Sequence, residues 1–162
     1  MYGDEYYMNI ALDLARESAA QGEVPVGAVA VWEDGEIIGK GRNRRELGKN
    51  ALAHAEIEAI NDACTYKKGW RLHKCTLYVT LEPCPMCAGA IVNARIKRVV
   101  YGARDNKAGA FGSVFNMNEL PLNHKPQVDG DFMGCQCKEE LTKFFKHLRE
   151  EKQTVKMTKN SV

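Results

Sequence analysis

The chain has 162 residues, the length of one domain with a core of its own. Hydrophobic residues make up 44%, charged residues 27%, and the net charge is +2; this excludes a disordered polyelectrolyte and leaves any nucleic-acid surface to be sought in local patches. The start, "MYGDEYYMN", lacks the basic and apolar regions of a secretion signal, and no apolar run is long enough to span a membrane. The expected compartment is therefore the cytoplasm, with no membrane partner, where six cysteines read as thiols or metal ligands rather than disulfides.

The first predicted element is a helix near residues 4–21. Met8, Ala11, Leu12, Ala15 and Ala19 recur at helical spacing, and Gly22 suits its stop. "VGAVAVW" reads as a buried strand and "EIIGKGRN" as its partner, with "EDG" as the hairpin turn between them. A second helix is predicted over about Ala53–Thr65, and "CTLYVTL" as a strand rich in β-branched and aromatic residues. A third helix runs from Pro85 to about Arg95, followed by the strand "KRVVYG". From Gly102 to Pro126 the chain is rich in Gly, Asn and Pro and too long for a plain connection, which marks a functional loop region. "QVDGDF" is the last predicted strand. "QCKEELTKFFKHLREEK" is an amphipathic helix, with Leu141, Phe144, Phe145 and Leu148 on one face. The tail from Gln153 has no such pattern and is expected to be disordered, so residues 1–152 read as a single domain and 153–162 as its tail. Strands alternating with helices predict a three-layer α/β domain, and the early hairpin makes its sheet mixed.

Two cysteines in "TLEPCPMCAGA" carry the first chemical signal. Cys84 and Cys87 are one helical turn apart, so their sulfurs share a face. Pro85 suits the first helical position, with Cys84 as cap. Both thiols then sit at the positive end of the helix dipole, which favours thiolates and suits one zinc ion. Two ligands are too few, and there is no second C-x-x-C or His pair. His54 in "LAHAEIEAI", at the start of the second predicted helix, supplies a third. One imidazole and two thiolates leave a fourth position open for water, as in catalytic zinc sites. Glu56 diverges from His54 by about 200° on an ideal helix, so it reads as a general acid/base rather than a ligand. A redox cysteine pair would want thioredoxin-like surroundings, which the sequence lacks, and a structural zinc completed by Cys64 or Cys75 would leave Glu56 without a role.

The pattern His54-Ala55-Glu56 followed by Pro83-Cys84-Pro85-Met86-Cys87 is the signature of zinc nucleobase deaminases. With "EVPVGAV", "GKGRN" and "GARDNKAGAFGS", the chain from about Met8 to Glu151 resembles the tRNA adenosine deaminase family of the cytidine deaminase superfamily. That family is itself among the described members of the signature class, so the chemistry is the class's own. The resemblance implies a five-stranded mixed sheet between helices, one Zn²⁺ per subunit, and a homodimer acting on a tRNA anticodon stem-loop. It implies conversion of the wobble adenosine to inosine, in bacteria chiefly in an arginine tRNA. His54, Cys84 and Cys87 match the zinc ligands and Glu56 the proton shuttle. Asn43 matches the residue that hydrogen-bonds the purine. Val26, Gly27, Ala28 and Leu81 match pocket-lining positions, and Asp105 a contact to the nucleotide beside the target.

An RNA loop substrate needs phosphate contacts and stacking surfaces. The basic groups available are Arg42, Arg44, Arg45 and Lys49; Lys67, Lys68 and Arg71; Arg95, Lys97 and Arg98; and Lys143, Lys146 and Arg149 beside Phe144 and Phe145. Arg44, Lys107, His124, Phe145 and Lys146 are the candidate RNA contacts, although a charged cluster is more often a solvated face and a helix phenylalanine more often core. His73 and His147 read as surface residues, Cys64 and Cys75 as core, and Cys135 and Cys137 as too few for a second metal. Two rival functions share parts of this pattern: a deaminase of free guanine, cytosine or a nucleoside, and a noncatalytic RNA-binding subunit stabilised by zinc.

Overall fold

The computed structural model describes residues 1–161. Its elements run α1 (Asp4–Ala20), β1 (Gly27–Trp32), β2 (Ile37–Arg42), α2 (Ala55–Lys67), β3 (Cys75–Leu81), α3 (Pro85–Asn93), β4 (Arg98–Ala103), a 3-10 turn (Met117–Glu119), β5 (Gln127–Asp129) and α4 (Gly134–Lys159). The five strands form one sheet in the order β2-β1-β3-β4-β5. The hairpin β1–β2 and the pair β1–β3 are antiparallel, whereas β3–β4 and β4–β5 are parallel. The sheet is therefore mixed, and α3 makes the crossover between its two central parallel strands.

Strand alternation builds the two core layers. Ala28 and Ala30 of β1, Leu77 and Val79 of β3, and Val99 and Tyr101 of β4 face one side, where Ala55, Ala59, Ile60 and Ala63 of α2 and Ala88 and Ile91 of α3 cover them. Val29, Val31, Tyr78 and Val100 face the other side, under Tyr7, Met8, Ala11 and Leu12 of α1 and Cys137 of α4. Small residues bring α2 close to the sheet edge: a Cβ at Gly41 would lie 2.1 Å from the Ala55 carbonyl oxygen, so β2 and the first turn of α2 meet backbone to backbone.

The boundaries of β3 and the start of α3 fall where the sequence predicts. The last helix does not. The expectation was a helix ending at Lys152 with a disordered tail from Gln153; α4 instead continues to Lys159. Its final turns bury no side chain among the described residues: 151–161 are all exposed. They are held by local bonds instead: the Thr154 and Thr158 hydroxyls donate to the Glu150 and Thr154 carbonyls, and Lys156 and Lys159 stand at the negative end of the dipole. The last predicted strand is also shorter, three residues instead of six, ending at Asp129. Among the described residues no helix is long and apolar enough to cross a membrane.

Candidate active site

The N-termini of α2 and α3 meet beyond the end of the central strand β3. His54 is the cap residue of α2 and Cys84 that of α3, each with extended backbone, and Pro85 occupies the first turn of α3. The second cysteine, one turn on, is buried beneath the first. This brings His54, Cys84 and Cys87 together, with their donor atoms all within 4.8 Å of one another. His54 Nδ1 lies 3.7 Å from Cys84 Sγ and 3.6 Å from Cys87 Sγ. In a tetrahedral site with ordinary Zn–S and Zn–N bonds the N···S edge is about 3.6 Å. The spacing and the donor chemistry both fit one zinc ion held by Nδ1 and two sulfurs.

Glu56 completes the floor. It is only 4% exposed, and the Cys87 thiol donates to its Oε2 at 3.1 Å. Burial pushes the Glu56 carboxyl up, against the opposing pull of that thiol. The hydrogen bond from Cys87 brings Cys84 down to about 4, within reach of the thiolate at neutral pH. Cys87 is pushed up by the Cys84 thiolate and by its own burial. The hydrogen bond to Cys84 raises His54. One anionic sulfur, an imidazole and a buried carboxylate thus converge on one point.

Above the floor is a cleft of about 190 Å³ lined by Val24, Val26, Asn43, Arg45, Leu81, Glu82, Asp105 and Ala108, together with His54, Ala55, Glu56 and Cys84. That is below the ~300–1,000 Å³ usual for drug-sized ligands, and it suits a single planar base with its sugar left at the mouth. Of the sequence-predicted pocket residues, Val26, Asn43, Leu81 and Asp105 line it. Gly27 and Ala28 do not: Gly27 is pressed against the Ala11 carbonyl of α1, and Ala28 is fully buried in the sheet core. Asn43 is latched at both ends, its Nδ2 donating to the Val24 carbonyl at 3.1 Å and its Oδ1 accepting from the Arg45 N–H at 3.2 Å. One amide hydrogen and one carbonyl lone pair remain for a ligand.

The candidate RNA contacts scatter. Arg44 is paired with Glu58 at 3.1 Å, and Lys107 is exposed on the loop that carries Asp105. His124 is tied through Nε2 to the Ile96 carbonyl at 2.7 Å, a structural bond away from the cleft lining. Phe145 is 41% exposed and packs edge-on against Phe144, with Lys146 exposed beside it. Sequence reasoning missed Val24, Ala55, Ala108 and above all Glu82. The acid before "PC" was the available signal for the last.

A family model described as MafB19-like deaminase matches residues 2–149. A tRNA-specific adenosine deaminase of Bacillus subtilis (strain 168) is 44% identical over 157 residues, 96% of this chain and 97% of that one. The chain belongs to the tRNA-specific adenosine deaminase family. A second member, from Haemophilus influenzae, is 46% identical over 94% of this chain and 89% of its own. A solved structure from work on A-to-I editing by tRNA:A34 deaminases superposes with a TM-score of 0.82 at 42% identity, covering 85% of this chain and 99% of that one. A guanine deaminase from Nitrosomonas europaea has the same fold at lower likeness, TM-score 0.75 and 26% identity over 89% of this chain and 85% of that one.

Proposed function

We propose that this deaminase hydrolyses the exocyclic amine of the wobble adenosine in a tRNA anticodon, giving inosine and ammonia. The observation that carries this reading is the convergence of His54 Nδ1, the Cys84 and Cys87 sulfurs and the buried Glu56 carboxylate at the floor of a base-sized cleft. His54, Cys84 and Cys87 would hold the zinc. When bound, zinc supplies the Lewis acidity that makes water a competent nucleophile near neutral pH.

Glu56 moves the protons. Its carboxylate takes one proton from the attacking water and delivers it to the ring nitrogen beside C6 of adenine. It then takes the second proton from the newly added hydroxyl and gives it to the departing amine. Adenosine and water become inosine and ammonia, and Glu56 ends as it began. Asn43, held by the Val24 carbonyl and Arg45 N–H, presents its remaining amide hydrogen to a ring acceptor. Val26 and Leu81 supply the apolar walls. Asp105 stands at the mouth for the neighbouring nucleotide, with Arg45, Lys107 and Lys146 as cations for phosphate.

The wobble base already lies in a loop, so little unstacking is needed to bring it into the cleft. Exposed Leu47 and Leu52 on one flanking loop, and Val114 and Phe115 on the other, support a homodimer formed around the mouth. A tRNA substrate supports a cytoplasmic site of action.

Inosine formation tests the reading. Zinc-loaded protein is incubated with an anticodon stem-loop carrying adenosine at the wobble position, beside Glu56→Ala, with free guanine, cytidine and adenosine in parallel. The stem-loop alone should be deaminated, and the variant should lose about 10²–10⁴-fold in rate while keeping its zinc. Deamination of a free base but not of the stem-loop would overturn the substrate.

A further inference from the structure

Glu82 lies between β3 and α3, one residue past Leu81 and two before Cys84. It is 1% exposed, and among the described residues no cation pairs with it. Its carboxylate is instead filled by the 105–113 segment. Oε1 accepts from the Asp105 N–H at 3.3 Å and from the Ser113 hydroxyl. Oε2 accepts from the Phe111 N–H at 3.1 Å and the Ser113 N–H at 3.2 Å. Gly109 lies against the same group: a Cβ there would come within 2.2 Å of Oε2 and 2.6 Å of the Asp105 carbonyl oxygen. The segment is thus wrapped around the carboxylate with no room for a side chain.

Burying a carboxylate without a cation is costly unless its oxygens are filled by donors. Each oxygen here accepts twice, and three of the four donors are backbone N–H groups; a glutamine would turn one acceptor into a donor facing donors. The beneficiary is Asp105. Its N–H is held by Glu82, and its Oδ1 accepts from the Lys107 and Ala108 N–H groups at 3.0 and 3.2 Å. Asp105 and Ala108 form the cleft wall next to Leu81 and Glu82.

We propose that Glu82 is a positioning residue for the substrate's flanking nucleotide: its buried carboxylate gathers the 105–113 segment so that Asp105 stands at the mouth of the cleft, and it acts through Asp105 rather than on the reacting base. This rests on the reading above that Asp105 meets the nucleotide beside the target. The same strand-to-helix turn that delivers Cys84 to the metal thereby sets the wall that recognises the polymer.

The test is a double-mutant cycle on an anticodon stem-loop, with zinc-loaded wild type, Glu82→Gln, Asp105→Ala and the double variant. Asp105→Ala and Glu82→Gln should each lower kcat/KM about tenfold, mainly through KM, and the double variant should be no worse than Asp105→Ala alone. Zinc content should stay at one per chain in all four. Independent, multiplying losses would overturn the role of Glu82 while leaving that of Asp105. Loss of zinc in Glu82→Gln would also overturn it, because Glu82 would then act through Cys84. A wild-type rate in Asp105→Ala would remove the Asp105 contact, and the inference with it. Should Glu82→Gln fail to fold, Ser113→Ala replaces it in the cycle, with a smaller KM-weighted loss that again vanishes in the Asp105→Ala background; a loss that persists there overturns the proposal.

Discussion

Asn43 shows how a single side chain can serve both the frame and the ligand. Two of its hydrogen-bonding positions go to the Val24 carbonyl and the Arg45 N–H, and the backbone carbonyl of Asn43 accepts the Ser18 hydroxyl at 2.8 Å. The side chain is therefore fixed before any base arrives, and the remaining donor loses little entropy on binding. Asn43→Ala should cost about 10–100-fold in kcat/KM on the stem-loop, the worth of one hydrogen bond in a desolvated site together with its preorganisation. Steady-state kinetics beside a thermal melt checks this. A kcat/KM within twofold of wild type with a lowered Tm would mean that Asn43 only holds its loop. Glu23, in the connection between α1 and β1, is a related case that holds the same loop: buried, it accepts the Leu47 N–H at 2.6 Å, while its other oxygen has no partner among the described residues. Buried acids thus anchor both flanking loops by their backbone N–H groups, Glu23 on one side and Glu82 on the other.

At the scale of elements, what the sequence reveals depends on whether the signal is local. His54, Cys84 and Cys87 are legible because capping and helical spacing fix their positions within a few residues of each motif. The strands are legible because both faces of the sheet are covered, which makes β1 and β3 apolar runs. Glu82 is not legible, because its partners are 23 to 31 residues away along an irregular loop. Gly27 and Ala28 follow the motif into the sheet instead of the cleft, since alternation turns one toward α1 and the other into the core. The end of α4 misleads for the opposite reason. Amphipathicity reports packing, and the last turns of α4 are helical without packing. A chain ending at Lys152 should accordingly melt within about 2 °C of the full one, since exposed residues contribute only about ±0.5 kcal/mol. A fall of more than about 5 °C by calorimetry would show that these turns dock on the domain or on a second copy.

Across the whole molecule, one ion-pair network closes the sheet at the edge opposite the hairpin. Arg98 at the start of β4 donates to both oxygens of Asp4, in the first turn of α1, at 2.8 Å each, and to Asp129 of β5 at 2.6 Å. The Tyr78 hydroxyl of β3 joins it, donating to Asp4 at 2.7 Å. Four elements distant in sequence meet there, and the fork geometry of the guanidinium is what permits it. The bond from Arg98 holds the Asp4 carboxyl below its ordinary value of 3.8. A carboxyl depressed in the folded state stabilises it fully above the unfolded value and loses that contribution as pH falls through the folded one. Asp4→Asn should therefore be less stable than wild type near neutral pH, by about 1 kcal/mol for a partly exposed pair, or about 2–4 °C in Tm. The gap should be constant from about pH 8 to 5 and should close only below about pH 4, where the wild-type carboxyl takes up its proton. Urea unfolding of both proteins across that range reads the difference directly. A gap that stays open in acid would assign the loss to packing at the amide, and one already closing near pH 6 would place the linked proton on another group.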